Sequence, residues 1–244
     1  MKALFISDLH LEESRTDISD TFFAFVKEKI LALDDIEQFY ILGDFFEVWI
    51  GDDFKNPFVD SIKNCLKEIS QKIPQCFFQH GNRDFLIGEQ FAKDTGFNIL
   101  GDVATVPHPA LNIIVMHGDS LCTLDTKYLQ MRSFLRSELF IKDVMSKSIE
   151  DRLALAKQMR AASKDANSGK AMDIMDVTPE EVIKIMEEYH ADILIHGHTH
   201  RPKVHSVATA HNKSAQRMVM SDWENKIQYV ELDLQGARLL SFNS

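Results

Sequence analysis

The sequence predicts an α/β protein in which helices cover a largely parallel sheet, and three observations carry that expectation. Five short apolar runs, rich in Ile, Val and Phe, each end in a polar cluster, as strands buried on both faces do. Helix-periodic patterns lie between several of these runs, giving the strand–helix alternation of βαβ units. The composition is that of a folded chain, with 45% hydrophobic and 26% charged residues and only ten glycines and six prolines among 244 positions. That excludes disordered and collagen-like classes.

In chain order, residues 3–7 run into Asp8-Leu9-His10, and 39–42 into Gly43-Asp44. Residues 76–79 precede His80-Gly81-Asn82-Arg83-Asp84, 112–116 precede His117-Gly118-Asp119, and 192–195 precede His196-Gly197-His198-Thr199-His200. Phe22, Phe23, Val26 and Ile30 recur at helical spacing, as do Ile62, Leu66, Ile69 and Ile73. No strand-like run occurs between 125 and 170. There Tyr128, Met131, Leu135 and Leu139, then Met145, Ile149 and Leu153, predict a helical insertion at about 123–170 within a single domain spanning 1–244. Residues 217–220 and 227–232 alternate, with turn residues between them, and predict antiparallel strands.

The formal charge of −10 argues against general nucleic-acid binding, which needs a basic face. No apolar run approaches the ~20 residues of a membrane span. The start, MKALFISDLH, turns acidic too early for a secretory signal. Cys65, Cys76 and Cys122 are far apart and predict idle thiols in a reducing compartment. The lack of cysteine pairs argues against a structural zinc protein.

In open α/β sheets ligands gather at the carboxyl ends of the strands, and every polar cluster lies at such an end. Asp8 and His10 are one residue apart, so in an extended segment both point to the same side; His198 and His200 repeat the spacing. Asp44, Asn82 and His117 each follow a strand and are expected on the same rim. Carboxylates, imidazoles and one amide, without thiolate, suit Mn²⁺, Fe²⁺, Co²⁺ or Zn²⁺. Seven candidate ligands exceed what one ion takes while leaving room for substrate, so two ions sharing a carboxylate, ~3.5–4 Å apart, fit better. Singly each piece is ordinary turn chemistry. Their coincidence at five strand ends, with two carboxylates among four imidazoles, favours cations.

These motifs, in this order, resemble the calcineurin-like metallophosphoesterase signature. The segments from Ile41 to Asp44, from Trp49 to Asp53, from His80 to Gly88 and from His196 to Pro202 narrow the resemblance to the UDP-2,3-diacylglucosamine diphosphatase family. The likeness runs nearly end to end and includes the insertion, and the chain departs from the family pattern at Phe45, Phe54 and Ser221.

The resemblance implies a layered α/β/β/α sandwich with a helical cap, and two Mn²⁺ ions, other divalent first-row metals being possible. It assigns Asp8, His10, Asp44 and His200 to one ion and Asp44, Asn82, His117 and His198 to the other, with Asp44 bridging. Arg83 stands where the wider superfamily often has histidine; it cannot donate a proton at neutral pH but can hold phosphate oxygens. No catalytic side chain is expected beyond a metal-activated water. The implied reaction is attack on the α-phosphorus of UDP-2,3-diacylglucosamine, giving UMP and 2,3-diacylglucosamine 1-phosphate in lipid A biosynthesis.

In the insertion, Arg160, Ser163, Asn167 and Lys170 fall on one helical stripe about 80° wide. By resemblance Ser163, Asn167 and Lys170 contact the nucleotide-sugar lipid, together with Asp125, Asn82, Arg83 and His198. Tyr128 and Arg160 join them on position. Residues 126–170 carry a net +5 against −15 for the rest, which predicts a basic cap facing an anionic substrate. The same charge suits peripheral contact with the cytoplasmic face of a bacterial inner membrane, with no nucleic acid and no obligate protein partner. The competing readings are a metallophosphoesterase for a nucleotide or phosphoprotein, and a binding module that keeps the fold without catalysis.

Overall fold

The computed structural model describes residues 2–167, 174, 176–224 and 226–243, with 164–167 as backbone only. Its first sheet is built on β1 (Ala3–Ile6), β2 (Gln38–Leu42), β3 (Gln75–Gln79) and β4 (Asn98–Leu100), paired in parallel. The helices between them are α1 (Thr16–Phe25), continued by a π-helical turn over Val26–Leu31, α2 (Pro57–Lys72) and α3 (Glu89–Thr95). Asn56 starts α2 by accepting the Val59 N–H at 2.7 Å, with Pro57 in the first turn.

A second sheet holds β5 (Ala104–Val106), β6 (Ile113–Val115), β7 (Ile193–His196), β8 (Lys203–Val207) and β9 (Ala215–Val219), in the order β5-β6-β7-β9-β8. Its centre, β6-β7-β9, is parallel and its edges are antiparallel. The chain then returns to the first sheet as β10 (Gln228–Asp233) and β11 (Gly236–Ser241), with β10 antiparallel to β1. The two C-terminal stretches expected as antiparallel strands are therefore strands, but they lie in different sheets: β9 pairs with β7 and β8, and β10 with β1 and β11.

Strand alternation explains why the sequence shows unbroken apolar runs. On β1, Leu4 and Ile6 face the helices with Phe22, Ile62 and Leu66, while Ala3 and Phe5 face the other sheet with Val115, Ile195 and Met218. Phe5 stacks on Tyr40 at 4.6 Å and Tyr40 on Phe77 at 4.7 Å, one ring per strand across β1, β2 and β3. A third cluster packs Ile114, Met116 and Leu194 against Val182 and Met186 of α7 (Pro179–Glu188). The order helix, sheet, sheet, helix is the α/β/β/α sandwich.

Three helices, α4 (Thr126–Leu135), α5 (Glu138–Met145) and α6 (Ile149–Asn167), follow β6 and form a cap. Asp125 and Ser137 start the first two by accepting the Tyr128 and Phe140 N–H groups. Asn167 ends α6, with its side chain outside the description, and Lys170 lies outside the described residues.

Phe45, one of the departures from the family pattern, is fully buried and packs edge-on against Phe22 at 5.3 Å and Phe46 at 4.9 Å. Phe45→Ala is expected to destabilise the fold by about 3–5 kcal/mol, read by chemical denaturation.

Candidate metal centre

The chain leaves β1, β2 and β7 through residues with left-handed backbone. The φ angles are 57° at Asp8, 52° at His10, 49° at Asp44, 65° at His198 and 53° at His200; His190 is the one other described non-glycine residue of this kind. Each such residue costs about 1–3 kcal/mol unless its surroundings hold it. Here the Asp8 N–H donates to Gly43 O at 3.1 Å, His10 N–H to Asp44 O at 3.0 Å and Leu11 N–H to Phe45 O at 2.8 Å. Asp8 and His10 thus fall in one group through turn geometry rather than extended alternation, whereas His198 and His200, expected on the same side, are turned into different groups.

The seven predicted metal ligands converge. Asp8, His10 and His200 form one group and Asp44, His117 and His198 another, each with its ligand atoms within 4.8 Å of one another. His10 Nε2 and His200 Nε2 face each other at 3.5 Å, and His200 Nε2 lies 3.3 Å from Asp8 Oδ1. Asn82 Oδ1 sits 3.2 Å from His117 Nε2 and 3.1 Å from His198 Nδ1. In the tautomer that carries the proton on Nδ1, the two facing Nε2 atoms each present a lone pair beside the Asp8 carboxylate, a set that a cation satisfies. A divalent first-row ion fits each group by its mixed nitrogen and oxygen donors.

Neighbours orient these rings. His117 Nδ1 donates to Leu42 O at 2.9 Å, which leaves Nε2 for the centre. His200 Nδ1 lies 3.3 Å from Asp222 Oδ2. His10 Nδ1 lies 3.2 Å from Glu47 Oε2 without the alignment of a hydrogen bond. Glu47 and Asp222 were not legible as site residues, since isolated acids carry no spacing signal.

The electrostatics mark a place that attracts positive charge. Burial opposes ionisation of Asp8, but His200, His117 and His10 outweigh it and hold this carboxyl well below the usual range. Burial lowers His200, yet Asp222 and Asp8 carry it up to about 10. His198 falls to about 4 through burial and the neighbouring His117. Asp84 is raised to about 6 by burial and Asp44 while accepting the Gly81 and Phe45 N–H groups, each at 2.8 Å.

Beside the metal groups, a cleft with about 920 Å³ of empty space, partly open to solvent, runs between cap and core. Asn82, Arg83, Tyr128, Arg160 and Ser163 line it, so five predicted substrate residues share one wall system with Trp49, Phe85, Leu135, Phe140 and Met159. Asp125 caps α4, its Oδ1 accepting from Tyr128 N–H at 3.1 Å, and is not among the residues lining this cleft.

The cap arginines Arg132, Arg136, Arg152 and Arg160 line this cleft, and each is also paired with a carboxylate. Arg132 reaches Asp119 at 2.7 Å and Asp102 at 3.0 Å, Arg136 reaches Asp102 at 2.9 Å, Arg152 grips Asp53, and Arg160 pairs with Glu47. Four cap arginines thus face carboxylates of the core, because a basic cap on an acidic body is drawn to it before any substrate arrives.

The chain matches the family described as calcineurin-like phosphoesterase over residues 1–202 and belongs to it. Two relatives make the likeness more specific. UDP-2,3-diacylglucosamine hydrolase of Marinobacter nauticus is 44% identical, with 95% of this chain and 93% of the relative covered. The enzyme of the same name from Ectopseudomonas mendocina is 43% identical, with 96% and 95% covered. Among solved structures, Chaetomium thermophilum Vps29 shares the fold at 14% identity and a TM-score of 0.50, with 99% of this chain and 89% of that chain covered.

A Cβ added at Gly81 would lie 2.1 Å from Asp44 Oδ1 and 2.2 Å from Asp44 N. Gly81→Ala is expected to lower bound metal and activity by about tenfold or more, measured by metal analysis and turnover, with the far-UV spectrum unchanged.

Proposed function

We propose that this chain hydrolyses the pyrophosphate bond of UDP-2,3-diacylglucosamine, releasing UMP and 2,3-diacylglucosamine 1-phosphate. The observation that carries this reading is the cleft: one cavity joins an apolar wall, fit for acyl chains, to Asn82 and Arg83 beside two metal-binding groups. A small nucleotide or phosphoprotein would leave the apolar wall without purpose. The near-full-length relatives support the same substrate.

Asp8, His10, Asp44 and His200 would hold one divalent ion, and Asp44, Asn82, His117 and His198 the other, with Mn²⁺ as the expected metal. When bound, such ions supply Lewis-acid charge at the phosphoryl oxygens and activate water for in-line attack, here on the α-phosphorus. The chain's own contribution is placement. Arg83, whose Nε lies 3.9 Å from Asp44 Oδ2, offers its fork to the phosphate oxygens. Tyr128, Arg160 and Ser163 approach from the cap, while Trp49, Phe140 and Met159 exclude water from the lipid side. Asn167, Lys170 and Asp125 complete the proposed substrate contacts, and His198 serves both substrate and metal. Neutral imidazoles and two carboxylates facing two divalent ions leave about two positive charges opposite a doubly charged pyrophosphate diester.

Among the described residues no helix is long and apolar enough to cross a membrane. The cap nevertheless exposes Leu124, Phe134 and Leu139, the last 83% accessible, near exposed Lys127 and Lys142. This surface suits peripheral contact with an anionic bilayer, the cytoplasmic face of the inner membrane where lipid A precursors reside.

Chelator-treated protein is expected to release no UMP from UDP-2,3-diacylglucosamine and to recover on adding Mn²⁺. Asp44→Ala is expected to cost about a hundredfold or more; near-normal turnover would refute a bridging Asp44. Paired Phe134→Ser and Leu139→Ser changes are expected to weaken sedimentation with phosphatidylglycerol vesicles by about fivefold or more. Turnover of detergent-dispersed substrate should be unaffected.

A further inference from the structure

Arg136 caps the C-terminal end of α4, and its guanidinium is forked between two parts of the core. One nitrogen donates to Asp102 Oδ1 at 2.9 Å, the other to the carbonyl of Gly81 at 3.0 Å while lying 3.6 Å from Asp119 Oδ2. That carbonyl belongs to the peptide bond joining Gly81 to Asn82. Asp119, two residues after His117 and almost fully buried, accepts the Tyr128 hydroxyl at 2.7 Å and Arg132 Nε at 2.7 Å. Arg132 donates in turn to Asp102 at 3.0 Å. One network thus joins α4, the turn at Asp102, and the two loops that present Asn82 and His117.

We propose that Arg136 is a positioning residue that holds the Gly81–Asn82 peptide, so that seating of the cap sets the geometry of the metal group containing Asn82. The rest of that turn is fixed from the core: Gly81 N–H donates to Asp84 at 2.8 Å and Arg83 N–H to Asp44 at 2.8 Å. The Gly81 carbonyl is the point where the cap takes hold. Asn82 Oδ1 is equidistant, to within 0.1 Å, from His117 Nε2 and His198 Nδ1, at 3.2 and 3.1 Å. A small rotation of the peptide before it unbalances those two distances. An exposed ion pair would contribute little here, but the Arg136 side chain is only 17% accessible. Its planar fork serves a carboxylate and a carbonyl from two separate nitrogens held in fixed geometry, whereas a lysine offers both acceptors one rotatable ammonium. The group of Asp8, His10 and His200 makes no direct contact with Arg136, Arg132, Asp102 or Asp119 among the described hydrogen bonds and ion pairs. Its link to Asn82 runs through His198, whose N–H donates to Asp8 and whose ring faces Asn82.

This inference rests on the two-metal reading, and the test separates the two. Mn²⁺ titrations followed by calorimetry and by electron paramagnetic resonance would compare the wild type with Arg136→Gln, Arg136→Lys and Asp102→Asn. The wild type should bind two ions with an exchange-coupled spectrum. In Arg136→Gln one ion should bind about tenfold more weakly or worse, the other as before, with excess Mn²⁺ restoring turnover. Arg136→Lys should fall between. Asp102→Asn, altered at a half-exposed carboxylate, should shift the same ion less. A wild type binding fewer than two ions would overturn the metal reading itself. Two equal, unshifted ions in Arg136→Gln would overturn only the role of Arg136, as would joint loss of both ions with a lowered Tm. Should Arg136→Gln not fold, unshifted affinities in the other two variants would overturn it equally.

Discussion

The contact between Asp8 and the backbone of His198 fastens the two sheets together at the site. Both Asp8 oxygens lie within reach of the His198 N–H, at 3.1 and 3.0 Å, and Ser7 Oγ donates to Oδ2 at 2.6 Å. Gly197 lets the loops approach, since a Cβ there would lie 2.0 Å from Asp8 Oδ2. Each metal group draws on both sheets: Asp8 and His10 meet His200, and Asp44 meets His117 and His198. Without that junction neither group exists, however well each sheet folds alone.

The central architecture was legible because its strands are buried on both faces and leave continuous apolar runs. The edge strands were not. On β8, Lys203, Val204 and Ser206 are exposed and only alternate residues turn inward, so the segment reads as a polar loop. β4 and β5 are three residues long, too short for any period to show. The metal residues were legible because five motifs recur at strand ends. Their backbone was not, because D-x-H spacing is compatible with extension and the left-handed turns at Asp8 and His10 depend on bonds to the loop after β2. Glu47, Asp102 and Asp222 become neighbours of the site only through tertiary packing.

Charge is partitioned by the fold as well as by sequence. Arg132, Arg136, Arg152 and Arg160 line the cleft that an anionic substrate is expected to enter, and each also faces a core carboxylate. Arg152 is almost fully buried and also donates to Ile50 O at 2.7 Å. Electrostatic attraction thus does for the cap much of what apolar burial does for the sandwich, and it brings Tyr128 and Ser163 to the cleft.

That division has a consequence for how the molecule breathes. Helix α4 has no buried residue, and α5 buries only Val144, whereas α2 alone buries four. Cooperative opening follows the distribution of buried apolar contacts, so α4 and α5 belong to the less protected end of the fold. Hydrogen exchange would see the cap as a separate, weaker unit. Because Asp102 and Asp53 are more than half exposed, salt screens part of what holds it. The roof of the cleft is thus held chiefly by charge and its floor by apolar packing.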